Sequence, residues 1–160
     1  MRAFYQGFFY PKNPKKYCGD ISQIIYRSSW EAAVMYWLDI NEKVIRWGSE
    51  TVVIPYVSPI DSKVHRYFID FIIETTQGTF LVEVKPQKET IPPKTSGTKK
   101  RLLEARTMTY ATNCAKWEAA EKYANKMGYK FEVWDEVTLR SLGVVIVETK
   151  PKTRQPSKAK

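Results

Sequence analysis

Asp70, Glu83 and Lys85 are the residues whose types and spacing point most directly to chemistry. They lie in HRYFIDFIIETTQGTFLVEVK, residues 65–85, where two alternating apolar runs flank a Gln77-Gly78 pair suited to a tight turn. A two-residue turn at Gln77 and Gly78 predicts a hairpin with Ile72 opposite Glu83 and Asp70 opposite Lys85. Side chains alternate across a strand, so Phe68, Asp70 and Ile72 share one face with Leu81, Glu83 and Lys85. Ile69, Phe71, Ile73, Phe80, Val82 and Val84 make the other face wholly apolar. Asp70 and Glu83 become diagonal neighbours, about 7–8 Å apart at the backbone and able to reach one cation. A one-residue slip would move Asp70 to the opposite face from Glu83 and Lys85.

Two carboxylates sharing a cation beside a lysine suit phosphodiester hydrolysis. That reaction needs an attacking water, neutralisation of charge developing on the phosphorus oxygens and help for the departing alkoxide, all of which bound Mg²⁺ can serve. Mg²⁺ prefers oxygen ligands and keeps several waters, so Asp70, Glu83 and the backbone carbonyl of Val84 suffice to hold it, and Mn²⁺ should substitute. Lys85, on the same side of the strand, would orient the water or stabilise the transition-state oxyanion. The competing reading is that Glu83 and Lys85 form an ordinary exposed ion pair worth little. Against it stands Asp70, set in the apolar run FIDFII, where an unpaired carboxylate is costly to bury.

The elements that must position these groups are legible around them. A helix is predicted from Ser28 or Ser29, with Trp30, Val34, Trp37 and Leu38 at helical spacing and Asn41-Glu42 and Gly48 marking its exit. Ser28-x-x-Glu31 is a capping-box pattern, so Glu31 reads equally as a helix cap and as a further acid of the site. Thr51 to Val57 reads as a strand, with Pro55 at an edge or end. The run QKETIPPKTSGTKKR has no apolar period. It reads as a basic loop directly after Lys85, with Lys94, Lys99, Lys100 and Arg101 as a phosphate clamp; a merely solvating loop is the alternative.

Leu102 to Met127 is helical, as one helix or as two broken near Thr112-Asn113. Its small-residue stripe (Ala115, Ala119, Ala120, Tyr123, Ala124, Met127) suits close packing on a sheet, and Gly128 is its C-cap. Lys116 lies on another side, free to face DNA or solvent. Tyr129 to Trp134 reads as a strand and Glu136 to Leu142 as a short helix. The order is thus αβββαβ, an α/β fold with a central mixed sheet flanked by helices.

The chain has 160 residues, enough for one domain over 1–148. Residues 1–20 interleave rings with lysines, either as a nucleic-acid arm or, the favoured reading, as a segment packing its rings on the domain. Residues 149–160 read as a disordered basic tail. A net charge of +9 favours a polyanionic partner, nucleic acid above a membrane, because no apolar run approaches the roughly 20 residues of a spanning helix. Cys18 and Cys114 read as free thiols of a cytosolic protein.

RSSWE at 27–31, FIDF at 68–71 and EVK at 83–85 resemble the helix acid, metal-binding Asp and ExK of the PD-(D/E)xK nucleases, which share the restriction-endonuclease-like fold. HRYFIDF followed by GTFLVEVKP looks like the N-terminal endonuclease domain of TnsA-type transposition proteins. The wider pattern, including YQGFFYPKNPKKY, VIPY, KPQKETIPPK, KWEAAEKY and FEVW, looks like the head completion nucleases of T-even-type phages. The resemblance implies Asp70, Glu83 and Glu31 at a Mg²⁺ site, Lys85 as catalytic lysine, and duplex DNA as substrate at the end of phage DNA packaging. It also implies partners among head and portal proteins, host cytoplasm and virion head as locations, and a monomer or homodimer. Ile69 stands where the superfamily signature often has Pro. The rival class is a non-enzymatic plug holding the DNA end at the portal by charge.

Overall fold

The computed structural model describes residues 6–147, so the predicted tail at 149–160 and the first five residues of the arm lie outside the described residues. In chain order the elements are β1 (Gly7–Phe8), β2 (Ile25–Tyr26), α1 (Ser29–Ile40), β3 (Val44–Ser49), β4 (Val53–Val57), β5 (Val64–Phe68), β6 (Phe71–Thr75), β7 (Gly78–Val84), α2 (Lys100–Met127), β8 (Lys130–Trp134) and α3 (Glu136–Leu142). A four-stranded sheet of order β3-β6-β7-β8 forms the centre. Its first two pairings are antiparallel and β7-β8 is parallel, so the sheet is mixed. Taken along the chain, α1, β3, β6, β7, α2 and β8 are the expected αβββαβ core.

The first core strand is not the expected one. TVVIPYV supplies β4, which pairs with β5 as a separate two-stranded ribbon. The core strand is instead β3, VIRWGS, in the stretch that reads from sequence as the helix exit. Gly48 sits inside that strand because a Cβ there would meet Thr51 Oγ1 at 2.6 Å and the Cys18 carbonyl at 3.2 Å. Its role is close approach rather than helix termination.

The predicted strand from His65 to Glu74 is broken at Ile69-Asp70. Up to Phe68 the chain pairs with β4, and the Ile69 amide still donates to the Val52 carbonyl at 3.1 Å. From Phe71 it pairs with β3 and β7. Asp70 is the pivot, its carbonyl accepting from the Glu50 amide at 3.1 Å. The bend turns Ile69 into a cluster with Ile54, Tyr67, Leu81, Ala120 and Ala124, away from the Phe71, Ile73 and Val82 face where strict alternation would put it.

The hairpin turn is also displaced. Thr75 pairs with Gly78, Ile72 with Leu81 and Phe71 with Val82, so the loop is Thr76-Gln77. Thr75 Oγ1 accepts from the Gln77 amide and donates to the Gly78 carbonyl, each at 3.1 Å. Gly78 closes the loop at φ +130°, a conformation other residues resist. The register differs from the expected one by two residues, which preserves the faces from Phe71 onward and, extended past Phe71, brings Asp70 level with Glu83 rather than Lys85.

One face of the sheet buries α1, with Leu139 of α3 in the same cluster, and the other buries α2. Val34, Met35 and Leu38 of α1 pack with Trp47, Phe71, Ile73 and Val82; Ala120 and Ala124 of α2 lie on Leu81, Ile54 and Ile69. Complete burial of each larger apolar side chain contributes about 1.5–3 kcal/mol. α2 is unbroken through Thr112-Asn113, begins at Lys100 so that Lys100 and Arg101 are helical rather than loop residues, and ends at Gly128 in the left-handed region.

The described part of the arm packs on the domain. Phe9 and Tyr17 stack edge-on against Trp47, and the amides of Lys12 and Asn13 donate to the buried Asp39 carboxylate at 2.8 and 3.0 Å. Lys16 Nζ donates to the carbonyls of Leu38, Asp39 and Asn41, satisfying the end of α1 where no intrahelical partner exists.

Candidate active site

Asp70 and Glu83 reach the site by different routes. Glu83 lies on β7 on the face covered by α2, and Asp70 is delivered by the bend between β5 and β6. Asp70 Oδ2 accepts from the Val84 amide at 2.8 Å, and Glu83 Oε2 accepts from the Tyr67 hydroxyl at 2.6 Å. Burial pushes the Asp70 carboxyl well above its usual range, and the charges of Glu83 and Glu31 push it further; the Val84 amide and the Lys85 ammonium oppose them. Burial likewise raises Glu83, against the Tyr67 hydroxyl, Lys85, Lys116 and a hydrogen bond to Asp70. Without a cation, the pair takes up a proton more readily than an exposed carboxylate would.

A divalent metal fits this donor set. One oxygen of each carboxylate is pinned by a protein donor, Asp70 Oδ2 by the Val84 amide and Glu83 Oε2 by the Tyr67 hydroxyl, and a cation would take the place of the hydrogen bond between the two acids. A residue's amide and carbonyl leave a strand on the same edge, so the Val84 amide aimed at Asp70 implies that the Val84 carbonyl faces the same side. These are hard oxygen donors, suited to Mg²⁺ or Mn²⁺ rather than to a thiophilic ion. A bound dication would take the place of that proton and remove the repulsion between the acids.

Glu31 stands at the margin of this group. Its amide donates to Ser28 Oγ at 3.1 Å and its Oε2 accepts from the Arg27 amide at 2.7 Å, so the cap is real and the carboxylate is spent on the chain entering the helix. Burial raises its pKa, the Arg27 amide opposes, and the Glu50 charge adds to the rise. Its field reaches Asp70, yet among the described residues no three His, Cys, Asp or Glu side chains converge into a metal cluster. The structure thus bears out the cap at α1, and of the further-acid reading it shows only that the Glu31 charge acts on Asp70.

Lys85 follows β7, its amide donating to the Trp134 carbonyl at 3.0 Å, and its ammonium acts on both acids. Lys116 lies elsewhere than its assignment to an outer DNA face suggests. Its Nζ is 5.5 Å from the centre of the Tyr67 ring and 5.7 Å from that of Tyr56, and its charge acts on Glu83. Lys94, Lys99, Lys100 and Arg101 are exposed on the loop and the first turn of α2.

Sequence reasoning missed Tyr67 and the pair Arg27-Glu50. The Arg27 guanidinium bonds Glu50 at 2.9 Å, and Glu50 holds a left-handed φ of 54° beside the Asp70 pivot. Such strain in a non-glycine residue is concentrated at functional sites. No local signal marks Glu50, whereas an aromatic hydroxyl in the apolar strand that leads to the acid was the available clue to Tyr67.

The model of the TnsA-like endonuclease N-terminal family matches residues 41–136, a span that includes Asp70, Glu83, Lys85 and Lys116 and excludes Glu31. The chain is also 44% identical over 145 residues to a head completion nuclease of Enterobacteria phage T4, across 87% of this chain and 96% of that protein. An endonuclease family of this kind makes divalent-metal dependence the natural expectation for two buried acids beside a lysine.

Proposed function

Because this chain belongs to the family of TnsA-like endonuclease N-terminal domains, we propose that it is a Mg²⁺-dependent DNA endonuclease that hydrolyses phosphodiester bonds of double-stranded DNA during phage head completion. Residues 1–148 form its nuclease domain. The observation that carries the reading is the buried Asp70-Glu83 pair with Lys85 alongside, a costly arrangement that a dication would relieve. The similarity to the T4 head completion nuclease supports the phage role, with head or portal proteins as partners and the host cytoplasm as the place of action.

In this mechanism Asp70, Glu83 and the Val84 carbonyl are the groups that would hold the metal, with Glu31 supporting the site through its field. When bound, the metal supplies an activated water and charge neutralisation at the phosphate. Tyr67 fixes the rotamer of Glu83, and the Val84 amide fixes that of Asp70. Lys85 faces the reacting phosphate, where its ammonium offsets the negative charge that grows in the transition state. Lys116 contributes a second positive charge on the Tyr67 side.

The duplex is held through its phosphates. Lys99, Lys100 and Arg101 crowd an α2 N-terminus that has no side-chain cap and no acid in its first turn. Cations there oppose the helix dipole, a cost of about 0.3–1 kcal/mol each that a polyanion would reverse. From Lys100 to Lys116 the helix rises about 24 Å, some seven phosphates of one strand.

The test is conversion of supercoiled plasmid in Mg²⁺ by wild type, Asp70→Ala and Lys85→Ala, with Mn²⁺ as alternative metal. Cleavage by wild type alone supports the assignment. Equal product from all three proteins overturns the site, and DNA retention without product under any metal favours the plug.

A further inference from the structure

The loop after Lys85 does more than carry charge. It folds back along the first half of α2 and leaves a groove of about 490 Å³ between them. The groove's helical wall is made by Ala105, Arg106, Thr109, Tyr110 and Asn113 of α2. Less than one turn beyond Asn113 along the helix is Lys116, which stands over Tyr67 at the acid pair. The groove thus runs away from the proposed metal site for about 10 Å, the rise from Arg106 to Asn113.

Its lining is mixed in a particular way. Lys88, Lys94 and Arg106 outnumber the single acid, Glu89, so the groove suits an anion. Ile91, Pro92 and Tyr110 give it apolar and aromatic walls. A duplex docked on its outside offers phosphates only, and apolar walls gain nothing from them. An unpaired nucleotide offers a phosphate and a bare base face together, which is the combination that cation-and-ring grooves bind. The volume falls in the range of pockets for drug-sized ligands, ample for one or two nucleotides and too small for a double helix.

We infer that this groove is a subsite for an unpaired DNA strand next to the scissile phosphate, so that the enzyme prefers duplexes with a frayed or single-stranded arm. The inference rests on the nuclease reading of the Asp70-Glu83 site, which it deepens by naming the substrate class.

The experiment uses the full chain and three labelled DNAs of common sequence: a blunt duplex, a fork with five unpaired nucleotides on one arm, and the single strand. Binding is read by anisotropy in EDTA and cleavage in Mg²⁺. Wild type should bind and cut the fork roughly ten-fold better than the blunt duplex, on the scale of stacking one base on an aromatic wall. Tyr110→Ala and, independently, Arg106→Ala should erase most of that preference while leaving blunt-duplex binding and cutting within two-fold of wild type. Equal handling of fork and duplex by wild type overturns the subsite and leaves the nuclease intact. A uniform loss on all DNAs in both variants also overturns it, since the residues would then serve general binding. Absence of cleavage on every DNA, with the fork still preferred in EDTA, would sink the nuclease reading and retain the subsite.

Discussion

Replacing Tyr67 with Phe removes a single oxygen atom, and the geometry around that atom sets the size of the effect. The hydroxyl donates to Glu83 Oε2 at 2.6 Å inside a site where Glu83 is only 9% exposed, so no bulk water can replace it. A hydrogen bond to a charged acceptor contributes about 1.5–3 kcal/mol. The ring remains, and with it the edge-on contact to Tyr56 at 6.5 Å and the Lys116 contact at 5.5 Å, so packing changes little. For a domain of this length, about 2 kcal/mol lowers Tm by roughly 4–8 °C. The phenol is held above its ordinary pKa by burial and by Glu83, so it stays a donor through the neutral range. Thermal denaturation followed by circular dichroism at pH 7 in EDTA reads the loss directly. The gap should narrow as pH falls and Glu83, its pKa raised by burial, takes up a proton, so that the bond becomes a neutral one of about 1 kcal/mol. Half-saturation of cleavage by Mg²⁺ should move to higher concentration, because Glu83 is no longer held in its rotamer. A Tyr67→Phe protein with unchanged Tm and unchanged metal dependence would refute the assigned role.

Asp70→Asn should abolish cleavage yet raise Tm in EDTA at pH 7, because it removes a buried charge beside Glu83. The sign comes from the raised pKa: the folded state holds the Asp70 proton more tightly than the unfolded chain. The metal-free protein therefore loses this stability as pH climbs from about 4 through the raised value. Tm against pH in EDTA should fall more steeply for wild type than for Asp70→Asn; parallel curves would argue against a desolvated acid. Lys100→Ala combined with Arg101→Ala should lower the slope of log K against log salt by up to about 2 for duplex DNA, as measured by titration at several salt concentrations. Lys16→Met should lower Tm by several degrees, since it strips three carbonyls at the end of α1 of their donor, and should leave specific activity at 25 °C unchanged.

The charged face of the hairpin was legible because alternation has a period of two, and a register error of two residues leaves each side chain on its own side. Ser28, Gly128 and the short helix from Glu136 were legible because caps are local. The passage of the chain between two sheets at Asp70 was not. Ile69 satisfies both the apolar strand pattern and the bend, and nothing within ten residues reveals that Val52 rather than a β7 residue pairs with it. β3 was hidden by Gly48, whose reading as a helix stop is sound on local grounds and is overridden by the approach of Thr51 and the Cys18 carbonyl. Lys116 read as a surface lysine because its spacing on α2 could not disclose the two tyrosines beneath it.

The break at Asp70 explains why the acids meet as they do. On an uninterrupted strand Ile69 would sit in the ladder with its backbone committed to β7, and the Val84 amide would be spent on the Ile69 carbonyl. The departure of β5 toward β4 frees that amide for the Asp70 carboxylate and turns Tyr67 in from the ribbon to bond Glu83. Each acid is thus oriented by a group that the bend itself provides. A change that disturbs the backbone beside the bend should then disable both acids at once. Val52→Pro, which keeps the carbonyl receiving the Ile69 amide but fixes the backbone next to β4, probes this point. If the bend sets the site, cleavage falls in parallel with the loss of the Tyr67-Glu83 bond, read by the Tm difference between Val52→Pro with and without Tyr67→Phe. Additive losses from the two substitutions would show that bend and bond act independently.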